Sequence, residues 1–189
     1  EEVIKNSSGR NGNLKLIGRA GVGIDNIDLS FATNSKVAVC NTPRASTHAV
    51  VELTIGHLLA CARHITTGDR TLREGEWAKK QLRGTELSGK RLGLIGFGKV
   101  ARLVSSRLQS FGMKIVFYDP FVESSTEVEQ KLSLNELLET SDFVSLHVPK
   151  TDETKNLISK DKLSIMKSNA IIINASRGGV IDEDAVFEL

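Results

Sequence analysis

The chain has 189 residues, of which 25 are Lys or Arg and 23 Asp or Glu, giving a net charge of +2. That length accommodates one sizeable core and part of a second. The near-balanced charge gives no overall drive towards nucleic acid or an anionic bilayer, and no apolar run approaches a membrane span.

Cys40 and Cys61 lack metal-ligand spacing and read as reduced thiols in buried elements, so no metal site is expected. With no signal peptide ahead of the first elements, the expected location is the cytoplasm.

In chain order, residues 14–18 read as a short strand, 28–34 as a short helix and 37–40 as a second strand. Asn41-Thr-Pro-Arg-Ala then punctuates the chain, and residues 47–65 form a long amphipathic helix with Ser46 or Thr47 as N-cap. After Gly84-Thr-Glu-Leu-Ser-Gly89, an apolar strand runs into Gly96-x-Gly98-x-x-Ala101. The helix that follows carries Val100, Leu103, Val104, Leu108 and Phe111 on one face, and Gly112 is placed to end it in a left-handed cap. Residues 114–118 are apolar without alternation, as in a buried parallel strand. Ser133 and Glu136 form a capping box for the next helix, with Leu132 stapled on Leu137. A strand over 143–148, a helix from Ser159 through Met166, a strand over 170–174 and a helix opened by Asp182 complete the chain.

Continuous apolar strands alternating with helices predict an α/β fold with a doubly wound parallel sheet of Rossmann type. The first forty or so residues supply too few elements for a core of their own, and no strand follows the last helix. Residues 1–45 therefore read as the trailing remnant of a substrate-binding α/β domain, and residues 46–189 as an incomplete dinucleotide-binding domain.

The glycine motif carries chemistry. Gly96 permits the tight turn out of the strand, Gly98 lets backbone approach a diphosphate, and Ala101 lets the helix pack closely on the sheet. The diphosphate then rests on the N–H groups of the helix N-terminus. Asp119, at the end of the second strand, is placed to accept from the adenosine ribose hydroxyls. A 2′-phosphate would meet its charge at a cost of about 4 kcal/mol at roughly 4 Å, so NAD is expected over NADP. Arg177 directly follows a strand end, where open α/β sheets place their ligands, and Gly178-Gly179 lets backbone come close. Its planar fork suits a substrate carboxylate.

The succession Gly18-Arg-Ala-Gly-Val-Gly-Ile-Asp-Asn-Ile-Asp28, Asn41-Thr-Pro43, Gly75-Glu-Trp77, Gly84-Thr-Glu-Leu, Gly96-Phe-Gly98, Tyr118-Asp-Pro120, His147-Val-Pro149 and Ser176-Arg-Gly-Gly-Val-Ile-Asp-Glu-Asp184 resembles the D-isomer-specific 2-hydroxyacid dehydrogenases nearly end to end. The Gly-Arg-Ala-Gly, Gly-Thr-Glu-Leu and Phe111-Gly-Met segments are most similar to the members that oxidise 3-phosphoglycerate to 3-phosphohydroxypyruvate, the opening of serine biosynthesis. The resemblance implies NAD as cofactor. It implies backbone contacts from Lys99 and Val100 to the diphosphate, cofactor-lining positions at His147, Val148, Ala175 and Ser176, and catalytic substrate binding by Arg177. It also implies a cofactor contact from Val22 and a place near the substrate for Asp25, although a simple turn at Gly21-Val-Gly23 remains an equal reading. The family's glutamate and histidine acid/base pair falls outside this sequence, and none of His48, His57, His64 or His147 takes that role. Val148 departs from the threonine frequent at this position. Residues 47–77 resemble the arm through which family members pair as homodimers, with Trp77 suited to that contact. Glyoxylate or hydroxypyruvate reduction stays open, as does an NADH-responsive corepressor on the same scaffold.

Overall fold

The computed structural model describes residues 1–8, 12–123 and 129–188. The chain forms two compact units, Glu1–His48 and Ala49–Leu189.

The first unit contains α1 (Glu2–Ser7), β1 (Leu16–Arg19), α2 (Leu29–Asn34) and β2 (Ala38–Asn41). The two strands pair in parallel from Leu16 opposite Ala38 to Arg19 opposite Asn41. Both sit one or two residues later than their apolar runs, because the pairing starts only after Lys15 has accepted from the Ala38 N–H at 2.9 Å. Asp28 caps α2 by accepting from the Phe31 N–H at 2.7 Å. Ile4, Ala32 and Val37 form the buried centre of this unit. No pattern in the residues announces α1, a six-residue helix with Ile4 as its one buried residue, too short for any periodicity.

The second unit follows through α3 (Thr47–Arg63), α4 (Ile65–Arg73), β3 (Arg91–Ile95), α5 (Lys99–Gln109), β4 (Lys114–Tyr118), β5 (Glu129–Lys131), α6 (Leu134–Thr140), β6 (Phe143–Leu146), α7 (Lys160–Ser164), β7 (Ile171–Asn174) and α8 (Glu183–Phe187). The single long helix expected over 47–65 is two helices, because His64 adopts a left-handed conformation (φ 53°) between α3 and α4.

The five strands form one parallel sheet in the order β5-β4-β3-β6-β7. Chain direction across the sheet reverses between β3 and β6, which makes their C-terminal ends the topological switch point. Successive residues of the central strands serve opposite faces. Leu92, Leu94, Ile115, Phe117 and Phe143 pack with Val51, Leu58, Val104 and Leu108 from α3 and α5. Ile95, Val116, Val144 and Leu146 pack with Leu137 and Leu138 from α6. Burial on both faces explains why these strands read as unbroken apolar runs. Gly93 sets how closely α6 approaches: a Cβ there would lie 2.5 Å from Leu137 Cδ2.

Several local expectations are corrected. In α5 the buried residues are Ala101, Val104, Ser105 and Leu108, with Val100 and Leu103 partly buried. Phe111 is 45% exposed, because the helix has ended at Gln109 and the chain turns through Gly112 (φ 73°). Ser133 does cap α6, accepting from the Glu136 N–H at 3.3 Å. Cys40 and Cys61 are free but exposed, on the outer faces of their strand and helix. β5 was not anticipated: its Glu-Gln-Lys sequence has no apolar signal and is held by main-chain pairing to β4.

At the N-terminal edge of the sheet, one residue, Asp142, ties the start of β6 to β3 and β7. Asp142 accepts from the Arg91 N–H and from Lys167 Nζ, each at 2.8 Å, while its carbonyl accepts from the Ile171 N–H at 3.0 Å. Burial pushes the Asp142 carboxyl up, but the Arg91 N–H and the Lys167 ammonium outweigh it and hold the group below its ordinary value. A carboxyl with a lower pKa in the folded state contributes stability above its unfolded pKa, and that contribution is lost as pH falls towards the folded value. Stability should therefore drop more steeply between roughly pH 5 and pH 3 in the wild type than in Asp142→Asn. Urea unfolding across that range measures the difference, and superimposable acid limbs would exclude Asp142 as a contributor.

Candidate functional site

The switch point is built by the turn from β3 into α5. Gly96 is buried with φ 82°, and its N–H donates to the Tyr118 carbonyl at 2.8 Å. A Cβ on Gly96 would lie 2.7 Å from the His147 carbonyl oxygen and 2.8 Å from Val148 Cγ1. The turn is thus pressed against the chain leaving β6. Gly98 is the N-cap of α5, extended (φ −78°, ψ −164°), and nothing lies within 4 Å of where its Cβ would be. The first N–H groups of α5, at Lys99, Val100 and Ala101, precede any possible intrahelical acceptor. Open space over Gly98, with donors behind it, fits a diphosphate.

Asp119 stands at the tip of β4. Its Oδ2 accepts from the Phe97 N–H and its Oδ1 from the Phe121 N–H, both at 2.8 Å. The Phe97 ring stacks on Phe117 with centroids 4.1 Å apart and 18° between planes, and the Arg102 guanidinium lies 4.5 Å from the Phe97 centroid. His147 is half-buried, with Nε2 3.0 Å from Ser145 Oγ. Burial pushes its pKa down to about 4, so it is neutral at physiological pH.

Two strands away, β7 delivers the arginine loop. The distance across the sheet from β3 to β7 is about 10 Å, two strand spacings. Asn174 organises this loop: its Oδ1 accepts from the Ser176 N–H at 3.0 Å and from Ser176 Oγ at 2.7 Å, and its Nδ2 donates to the Arg177 carbonyl at 2.8 Å. Arg177 Nη1 donates to the Ser176 carbonyl at 2.9 Å. Glu183, in the first turn of α8, accepts from the Gly179 N–H at 3.1 Å. Ala175, Ser176, Arg177 and Glu183 line a cavity of about 560 Å³.

The second unit thus brings Gly96, Gly98, Lys99, Val100, Asp119, His147, Val148, Ala175, Ser176 and Arg177 to the C-terminal edge of one sheet. Val22 and Asp25 are in the first unit, both exposed in the loop after β1, where the Val22 carbonyl accepts from Asn41 Nδ2 at 2.8 Å. Asn174 and Glu183 were missed as organisers of the arginine loop. The signal for Asn174 was present: an asparagine at a strand end, followed by small residues, is the sequence form of an Asx turn. Among the described residues no group of His, Cys, Asp or Glu could hold a metal, and no helix is long and apolar enough to cross a membrane.

A parallel doubly wound sheet with a glycine turn and an acidic residue at its switch point defines a dinucleotide-binding domain. The family model for the NAD binding domain of D-isomer specific 2-hydroxyacid dehydrogenases matches residues 55–189, and the chain belongs to that family. It is 48% identical over 176 residues to a hydroxypyruvate reductase of Thermotoga maritima, covering 93% of this chain and 58% of the relative. It is also 48% identical over 179 residues to a D-3-phosphoglycerate dehydrogenase of Methanocaldococcus jannaschii, covering 93% of this chain and 34% of the relative. Among solved structures, it is similar to an NAD-dependent formate dehydrogenase from Staphylococcus aureus in complex with NAD, with TM-score 0.87 and 36% identity, covering 93% of this chain and 54% of that one. The chain therefore spans between a third and three-fifths of the length of these relatives.

Proposed function

We propose that this chain is the cofactor-binding part of an enzyme that oxidises a D-2-hydroxy acid with NAD, and that the acid is 3-phosphoglycerate. The observation that carries the reading is the pairing, on one sheet edge, of the Gly96–Gly98 turn with an arginine loop held by Asn174. The substrate assignment draws support from the segments shared with phosphoglycerate-oxidising members and from relatives of that name at 40–48% identity. Hydroxypyruvate or glyoxylate is the competing substrate, supported by the relative named a hydroxypyruvate reductase.

In this reading the Lys99 and Val100 N–H groups hold the diphosphate, Asp119 accepts from the ribose, and His147, Val148, Ala175 and Ser176 line the remaining cofactor surface. NAD, when bound, supplies the hydride acceptor. Arg177 grips the substrate carboxylate through paired N–H bonds and so fixes C2 and its hydroxyl in one orientation. The hydroxyl proton passes to an acid/base pair outside this sequence. The exposed apolar residues Leu53, Ile65, Leu72 and Trp77 are the pairing surface of a homodimer, and the protein works in the cytoplasm in serine formation.

Steady-state NADH formation by the intact enzyme, with 3-phosphoglycerate compared against glycerate and lactate, tests the proposal. Turnover of glycerate alone shifts the assignment to hydroxypyruvate reduction, and NAD binding without any turnover shifts it to a corepressor-type binding protein.

The ribose contact makes its own prediction. Asp119→Ala should weaken NAD by roughly tenfold or more, the loss of a charge-assisted acceptor. NADP should lose less, because the repelling charge is gone as well. Calorimetric titration of both cofactors reads the gap between them, and equal loss for the two would remove Asp119 as the discriminating group.

A further inference from the structure

We infer that Asp119, besides meeting the ribose, is a positioning residue for the diphosphate-binding turn. The β3–β4 ladder ends where Ile95 pairs with Tyr118. One more main-chain bond follows, from the Gly96 N–H to the Tyr118 carbonyl at 2.8 Å. The next N–H of the turn, that of Phe97, donates to a side chain and not to a main-chain carbonyl. The Asp119 side chain takes over that place: its Oδ2 accepts from the Phe97 N–H at 2.8 Å, so a carboxylate extends the ladder by one bond into the glycine motif itself.

Two further contacts fix the same residue. Phe97 is 1% exposed and stacks on Phe117 of β4, two positions before Asp119 in the chain. Arg102, in the first turn of α5, places its guanidinium over the Phe97 ring. Phe97 is thus tied to β4 through its N–H and its ring, and to α5 through Arg102. Its successor, Gly98, is the N-cap from which the diphosphate-facing N–H groups begin.

The carboxylate has the capacity for both tasks. It offers about four lone-pair sites. Two are used by the Phe97 and Phe121 N–H groups, which leaves acceptor capacity for the ribose hydroxyls. The sugar and the phosphates are therefore coupled through one side chain: removing the carboxylate strips a contact from the ribose and leaves the Phe97 N–H without its acceptor, loosening the turn on which the phosphates rest.

This inference rests on the dinucleotide reading, and a ligand lacking the ribose hydroxyls separates the two. ADP and 2′,3′-dideoxy-ADP are titrated calorimetrically into the intact wild-type protein, Asp119→Ala and Asp119→Asn. A carboxylate acting on the sugar alone would leave dideoxy-ADP affinity unchanged on substitution by alanine, and removal of a negative charge would by itself strengthen an anion. The expected result is the opposite: Asp119→Ala weakens dideoxy-ADP by roughly tenfold, as for a lost charge-assisted hydrogen bond. Asp119→Asn restores much of that loss, because its amide oxygen can still accept from the Phe97 N–H. Unchanged or tighter dideoxy-ADP binding by Asp119→Ala overturns the inference. Hydrogen exchange on the ligand-free wild type reads the same bond without a substitution. A protected Phe97 amide supports it, and exchange at the rate of an open loop overturns it. Failure of the wild type to bind either nucleotide sinks the dinucleotide reading itself, and this inference with it.

Discussion

Arg177→Lys is expected to lower kcat/KM for the hydroxy acid by roughly ten- to a hundredfold in the intact enzyme, while NAD affinity stays within about a factor of two. The asymmetry follows from what the loop holds and what it does not. The backbone around Arg177 is set by Asn174, whose three hydrogen bonds to Ser176 and Arg177 do not involve the guanidinium. Lysine at this position therefore keeps the loop and its positive charge but loses the planar fork that orients a carboxylate through two parallel bonds. A point charge still attracts the substrate and fixes C2 less well, so the loss should fall on kcat as well as KM. Arg177 lies in the loop after β7, two strands from the glycine turn that follows β3, which is why the cofactor should be nearly indifferent. Steady-state kinetics and NAD titration on the same preparation check both halves. Unchanged kcat/KM would remove Arg177 from the site, and parallel loss of NAD binding would make it a structural residue of the loop.

The strands β3 and β4 and the glycine turn between β3 and α5 were legible to within a residue because three signals coincided there. Strands buried on both faces have no alternation to misread, Gly96 and Gly112 mark turns at both ends of the helix with positive φ, and Asp119 falls at the strand end. Elsewhere single signals misled. Phe111 continued the apolar stripe of α5 by spacing, but the chain had already left the helix. The break at His64 was hidden because a left-handed histidine between two amphipathic helices leaves the apolar pattern intact on both sides. β5 exists through main-chain bonds alone, which side-chain patterns cannot report.

In the site, residue types were legible but their partners were not. Asp119 read as a ribose acceptor on spacing alone. That its two oxygens are already engaged with the Phe97 and Phe121 N–H groups depends on how the ends of β3 and β4 meet. Asn174 read as the last residue of a strand; its type and position carried the Asx-turn signal, and the turn geometry shows which groups it holds, the Ser176 N–H and hydroxyl and the Arg177 carbonyl.

Gly96 and Gly98 should separate by experiment, although they belong to one motif. Gly96→Ala should lower stability by several kcal/mol and abolish NAD binding. It places a side chain at φ 82°, a strain of roughly 1–3 kcal/mol. It also drives a Cβ to 2.7 Å from the His147 carbonyl oxygen. That carbonyl cannot easily retreat, because the His147 N–H donates to the Ile95 carbonyl at 2.7 Å and so ties the chain after β6 to the end of β3. Overpacking against backbone adds a further cost of about 1–3 kcal/mol. In a domain of this size the sum corresponds to a fall in Tm of roughly 10 °C. Gly98→Ala should do the reverse. Its φ of −78° suits alanine and its Cβ would meet nothing within 4 Å, so the fold should hold with Tm nearly unchanged. The new methyl group would occupy the open space in front of the α5 N–H groups, where a diphosphate must approach the backbone, and NAD affinity should fall steeply. Thermal unfolding and NAD titration of the two variants side by side decide the matter. If Gly98→Ala binds NAD like the wild type, the space over α5 is not where the phosphates sit.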